Sequence, residues 1–238
     1  VTAGSVNVNT TNTVTFNDTV NLSPGTTDEL KFIVDGDVIL NSNLTGNITS
    51  GGNNLGTVTI LGDASGKAQS ITGNIGSSGS SDIKVLNIGE SGASTNYSKT
   101  TINGNVFANS TVLNNNGTTN SSELILASGK NITSTITTAD ANKGILTLAG
   151  GTQTVTGQVG TNANKLAEVN AGANGATSTF AGDVFATDIT VGNGIVNFED
   201  NVVATTTTIS SGTVNFNTTG GTTTTDIVFS NTGTANLL

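Results

Sequence analysis

The sequence predicts an all-β chain wound as one continuous β-solenoid over residues 1–238, and three observations predict it. Apolar residues occur in short runs that alternate with polar ones. Stretches rich in Gly, Asn and Ser separate those runs. A five-residue signature recurs along most of the chain at spacings that suit one coil.

The strands come first. Val6-Asn7-Val8, Val14-Thr15-Phe16, Val58-Thr59-Ile60, Leu124-Ile125-Leu126, Leu146-Thr147-Leu148, Val196-Asn197-Phe198 and Val214-Asn215-Phe216 each alternate apolar and polar positions. That period places every second side chain on one face of a short strand, and helical periodicity is almost absent. Thr (45 residues), Asn (33) and Gly (31) dominate the composition. Thr favours strands, whereas Gly and Asn tolerate the left-handed backbone of tight turns.

The turns follow. Ser50-Gly51-Gly52-Asn53-Asn54, Gly76-Ser77-Ser78-Gly79-Ser80-Ser81 and Asn114-Asn115-Asn116-Gly117 lie between the apolar runs and carry turn chemistry. Residues 76–81, 90–99 and 114–122 are the longest such stretches, and exposure alone marks them as contact points.

The signature is a large apolar residue, any residue, a small or acidic one, any residue, then Val or Ile. It reads Phe16-Asn17-Asp18-Thr19-Val20, Val34-Asp35-Gly36-Asp37-Val38, Leu44-Thr45-Gly46-Asn47-Ile48, Ile71-Thr72-Gly73-Asn74-Ile75 and Ile102-Asn103-Gly104-Asn105-Val106. It continues as Ile132-Thr133-Ser134-Thr135-Ile136, Val155-Thr156-Gly157-Gln158-Val159, Phe180-Ala181-Gly182-Asp183-Val184 and Phe198-Glu199-Asp200-Asn201-Val202. In a straight strand Asp18 and Asp200 would be buried beside apolar neighbours, at a cost of several kcal/mol. A bend at the central residue removes that conflict, so each signature is expected to be a corner.

A larger repeat overlies the signature. Ile71-Thr72-Gly73-Asn74-Ile75-Gly76 matches Val155-Thr156-Gly157-Gln158-Val159-Gly160, and Gly104-Asn105-Val106-Phe107-Ala108 matches Gly182-Asp183-Val184-Phe185-Ala186. The two offsets, 84 and 78, differ as if loops between them had gained or lost residues. The expected object is a right-handed stack of roughly ten coils, about 50 Å long, with parallel pairing and Asn or Thr ladders at its corners. Its uncapped ends would be strand edges, and with no Met at Val1 the chain is expected to be a segment of a longer protein.

Composition narrows the chemistry. The chain holds no Cys, His, Met or Trp, and all seven basic residues are Lys. Imidazole- and thiolate-based metal sites and nucleophiles are therefore excluded, as is a disulfide framework. A net charge of −9 without Arg opposes nucleic-acid binding. No apolar run reaches the ~18 residues that span a bilayer.

Asp35 with Asp37, or Asp183 with Asp188, offers oxygen ligands for calcium. The tandem Gly-Gly-x-Gly-x-Asp repeat of calcium-binding solenoids is absent, so solvated corners are expected instead. A glycosidase needs two carboxylates about 5–9.5 Å apart. Asp28 with Glu29, and Glu199 with Asp200, are strand neighbours pointing to opposite faces, while Asp18 and Asp200 belong to distant coils. Tyr97, the single Tyr, lies in a loop. No catalytic, cofactor or metal residue is assigned, and no enzyme activity is expected. Thr-x-Thr runs such as Thr13-Val14-Thr15, Thr57-Val58-Thr59 and Thr152-Gln153-Thr154-Val155-Thr156 suggest an ice-binding lattice, but they shift relative to the corners. The Asn-x-Thr/Ser sequons, Asn9, Asn47, Asn109 and Asn131 among them, follow from composition.

The strings Ile71-Thr72-Gly73-Asn74-Ile75-Gly76, Val155-Thr156-Gly157-Gln158-Val159-Gly160-Thr161-Asn162 and Val196-Asn197-Phe198-Glu199-Asp200-Asn201-Val202 resemble repeated elements of rickettsial surface-antigen autotransporters, the outer-membrane protein B type. The resemblance covers most of residues 44–217. It implies a passenger domain exported to the bacterial surface by a C-terminal translocator barrel outside this chain. It also implies membership of a surface coat beside neighbouring coat proteins, and attachment to a host-cell surface receptor. The function expected is thus a structural scaffold and adhesin, with a purely structural coat as the alternative. No adhesive motif of the family maps onto particular residues here.

Overall fold

Three inward-facing ladders of side chains run along the molecule, and together they account for its shape. The computed structural model describes residues 1–22, 28–79, 81–90, 96–114, 120–217 and 221–238. Among these, 25 strands form two 11-stranded sheets and one of three strands. Neighbouring strands pair in parallel, as in Lys67–Ile71 with Ser98–Ile102 and Thr177–Phe180 with Ile195–Phe198. The three-stranded sheet continues through the single bridges Ile48↔Ile75 and Ile75↔Val106 into the strand Val106–Leu113. The result is a β-solenoid of eleven coils, each contributing to three faces.

The second face shows the principle most simply. Val6, Leu30, Ile48, Ile75, Val106, Ile132, Val155, Phe180, Phe198, Phe216 and Leu237 are successive register partners through all eleven coils. The third face carries Val14, Val38, Val58, Leu86, Thr111, Ile136, Val159, Val184 and Val202. The first face carries Val20, Leu44, Ile71, Ile102, Leu126 and Leu148, then Ala171, Val191 and Ile209. Nearly all of these side chains are buried. One coil leaves its inward residues with nothing above or below them, and stacking removes that apolar surface from water.

Like residues therefore meet like residues. The Phe180 and Phe198 rings stack with centroids 5.2 Å apart, and Phe198 and Phe216 follow at 5.6 Å. On the outward side Asn215 Nδ2 donates to Asn197 Oδ1, and Asn236 Nδ2 donates to Asn215 Oδ1, both at 2.7 Å. These amide ladders satisfy polar groups along the same repeat that stacks the rings.

The signature marks corners, and it marks all three of them. Leu44–Ile48, Ile71–Ile75 and Ile102–Val106 turn from the first face to the second; Val155–Val159, Phe180–Val184 and Phe198–Val202 turn from the second to the third; Phe16–Val20 turns from the third to the first. Asp18 and Asp200 sit exposed at bends, as their charge requires. Ile132–Ile136 departs from the expectation: alternation continues through it and Ser134 is buried. Ser134 and Thr111 share a hydrogen bond between hydroxyls at 2.8 Å, so a small neutral centre can face inward where a carboxylate could not.

The larger repeat is reassigned on the same ground. Ile71–Gly76 and Val155–Gly160 occupy different corners, as do Gly104–Ala108 and Gly182–Ala186. The differing offsets reflect corner changes, not loop drift alone. True coil lengths run from 18 residues at Asn197 and Asn215 to 31 at Asn74 and Asn105.

Candidate functional site

Three consecutive coils expand the same corner, the one leading from the third face back to the first. Elsewhere this corner is short, as between Leu40 and Leu44, or is absorbed into one long strand such as Val184–Val191. Here six residues separate Ile60 from Lys67, and nine separate Ile88 from Ser98 and Leu113 from Glu123. Two of the three stretches marked from sequence, 90–99 and 114–122, fall here, although residues 91–95 and 115–119 lie outside the described residues. The third, 76–81, lies at another corner, where Ser77 bridges Ser81 in antiparallel fashion and Ser80 is outside the described residues. Exposure does not extend through these stretches: Ser98 and Ser122 are fully buried, and Ser98 and Lys99 belong to a first-face strand.

Neighbouring insertions are tied to one another. Tyr97 N–H donates to Asp63 O at 3.0 Å, and Asp63 N–H returns to Tyr97 O at 3.3 Å. Asp63 closes its own turn by accepting from Ser65 N–H (2.9 Å) and Ser65 Oγ (2.7 Å). The Ser65 hydroxyl, then its N–H, holds the Asp63 carboxyl below the usual carboxylate range. Tyr97 donates its hydroxyl to Ser65 O at 3.0 Å, which lays the ring over Gly66. A Cβ on Gly66 would overlap the ring, and Gly66 also has φ +77°, so glycine is required there twice over.

A groove of about 460 Å³ opens beside that ring, lined by Ser65, Gly66, Tyr97, Lys99, Asn120, Ser121, Glu123 and Ile145. Lys99 and Glu123 are register partners in adjacent coils and form an ion pair at 2.9 Å. Glu123 is the more enclosed, and its second oxygen accepts from Thr147 Oγ1 at 2.7 Å. Beneath the groove runs a buried polar seam. Ser98 Oγ pairs with Thr100 Oγ1 at 2.8 Å, Ser122 Oγ donates to Asn114 O at 2.5 Å, and Ser98 N–H donates to Ser122 Oγ at 3.2 Å. Those bonds anchor Ser98 and Ser122, where the second and third of these segments meet the first face.

The other acidic residues fall elsewhere. Asp35 pairs with Lys84 at 2.6 Å and accepts from Gly56 N–H. Asp183 accepts from the Asn201 side chain at 2.7 Å, and Asp188 is exposed in register with Glu168 and Thr206. Among the described residues no cluster of three or more Asp or Glu is placed to hold a metal ion. Glu199 and Asp200 lie together at one exposed corner, and Asp18 lies eight coils away. The outward Thr column on the third face is broken, reading Thr15, Ile39, Thr59, Asn87, Val112 and Thr137. Sequons Asn47 and Asn131 both accept backbone N–H groups at a corner. No described helix is long and apolar enough to cross a membrane.

Gln153 had no sequence signal. Fully buried, it accepts from Gly150 N–H at 2.8 Å and donates to the Ala127 and Lys130 carbonyls at 3.0 and 3.2 Å. A polar residue in a Thr-rich run looks like any outward strand position until the neighbouring coil supplies its partners.

With this geometry the molecule is defined by class as a three-sided parallel β-solenoid bearing one expanded corner. No protein-family model, curated protein or solved structure matches the chain.

Proposed function

We propose that this protein is a structural scaffold and adhesin of the bacterial cell surface, a passenger segment that holds its expanded corner out toward host cells. The observation that carries the reading is the lengthening of one corner in three successive coils of an otherwise regular core. A continuous core makes a stiff support, and function concentrates on loops carried by such supports. The resemblance of strings such as Ile71–Gly76 and Val155–Asn162 to repeated elements of rickettsial autotransporter passengers points the same way, and would imply export across the outer membrane by a translocator barrel. A net charge of −9 keeps neighbouring copies in a crowded coat apart.

Beads carrying the purified protein, presented to cultured host-type cells beside beads carrying an unrelated acidic β-solenoid, test it. Saturable attachment that free protein competes away is the expected result. Attachment no greater than the control would assign this segment to a coat without receptor binding.

A further inference from the structure

We infer that the groove at the expanded corner binds a neutral saccharide, with Tyr97 as the stacking platform and the Lys99–Glu123 pair as the hydrogen-bonding centre. The inference rests on the adhesive reading for its biological role and names the ligand class for that contact.

The platform comes first. Tyr97 spends its hydroxyl on Ser65 O at 3.0 Å and lies over Gly66, so the ring is fixed and its polar end is satisfied. What such a ring offers a groove is a flat apolar face, which the C–H face of a sugar matches. The chain has one Tyr and no Trp, and the structure places that Tyr in the groove.

The polar wall comes second. Sugar hydroxyls each donate and accept, and adjacent hydroxyls are best met by a donor held beside an acceptor. Lys99 Nζ and Glu123 Oε2 are that combination, 2.9 Å apart, with the carboxylate steadied from behind by Thr147 at 2.7 Å. Asn120 and Ser121 add an amide and a hydroxyl, and Ile145 adds an apolar contact. The volume, about 460 Å³, falls in the ordinary range for small-ligand clefts.

Charge selects neutrality. Lys99 and Glu123 offset each other within the groove. Asp63 stays ionised behind Tyr97, and the outward register continues from Glu123 through Ile145 to Glu168 and Asp188. Sulfated or sialylated glycans would meet repulsion along that column.

Tyr97 emission excited near the red edge of Tyr absorption reports on the groove alone, because no second Tyr or Trp exists. Titration with cellotriose, maltotriose and N-acetylated chitotriose, and separately with a sulfated disaccharide, is the test. At least one neutral trisaccharide should give a saturable change in the millimolar range. Lys99→Met and Asn120→Ala should each weaken it about fivefold or more, with circular dichroism and thermal midpoint unchanged. No saturable change with any neutral trisaccharide would overturn the inference. So would a response retained in both variants, or one confined to the sulfated probe. Cell attachment that persists without a saccharide response overturns the groove and leaves the adhesive reading standing. Saccharide binding without attachment does the reverse.

Discussion

Asn105 donates its backbone N–H to the Asn74 side-chain Oδ1 at 2.8 Å, one coil away. The same bond joins Asn74 N–H to Asn47 Oδ1, Asn131 N–H to Asn105 Oδ1 and Thr154 N–H to Asn131 Oδ1, at 2.8–2.9 Å. Each of these four N–H groups lies just before a second-face residue, and the Asn of the coil below supplies its acceptor.

Asn74→Ala should cost about 1 kcal/mol through loss of that acceptor. Asn74→Asp keeps an oxygen in place and should cost less. Urea-unfolding midpoints of the two variants check the order, and equal losses would show that the bond itself contributes little.

Phe198 lies between Phe180 and Phe216 and is almost fully buried. Phe198→Ala should cost about 3–5 kcal/mol, because the cavity lies between coils that cannot collapse independently. Phe198→Leu should lose less than half as much. Denaturant midpoints measured at constant m-value provide the comparison.

Gly104 and Gly129 separate steric from conformational demand. A Cβ on Gly104 would overlap the carbonyl oxygen of Gly73 in the coil beneath, whereas one on Gly129 meets open space at φ +70°. Gly129→Ala should therefore cost about 1–2 kcal/mol, from backbone conformation alone. Gly104→Ala should cost more, at the upper end of about 1–3 kcal/mol or beyond it, since backbone must move. Thermal midpoints of the two variants would contradict this account if they fell equally.

Asp35 and Lys84 are joined across 49 residues at 2.6 Å. The hydrogen bond from Lys84, then that from Gly56, lowers the Asp35 carboxyl, and the bond to Asp35 raises the Lys84 ammonium. The lowered carboxyl stabilises the fold above its unfolded value, about pH 4, and that part is lost as pH falls through the folded value. The raised ammonium stabilises below its unfolded value, about pH 10.4, and that part is lost as pH rises through the folded one. Both groups are solvent-exposed, so the contribution is small and screened by salt. Asp35→Asn should thus lower the thermal midpoint slightly at neutral pH and low salt. The difference should vanish in strong acid and in molar salt, and a difference that persists in both would point to packing instead.

Local chemistry alone determined the strands, the corners other than the one expected at Ile132–Ile136, and the absence of any imidazole or thiol site. Alternation at Val14-Thr15-Phe16 or Val214-Asn215-Phe216 permits one buried face, and a carboxylate at Asp18 or Asp200 forces a bend wherever the chain runs. Tertiary structure decided which of three corners each signature occupies, because Leu44–Ile48 and Phe198–Val202 have the same local form and differ only in the coil against which they stack. It also decided that Ser134 and Gln153 face inward, since their partners Thr111 and Ala127 reach them only after winding. The groove belongs to the same level. Tyr97, Asn120 and Glu123 are ordinary loop and strand residues in sequence, and coils of unequal length, from 18 to 31 residues, must wind into register before they line one wall. Period-two patterning acts between neighbours in the chain, whereas register acts between residues a full coil apart, and only the second can gather a site.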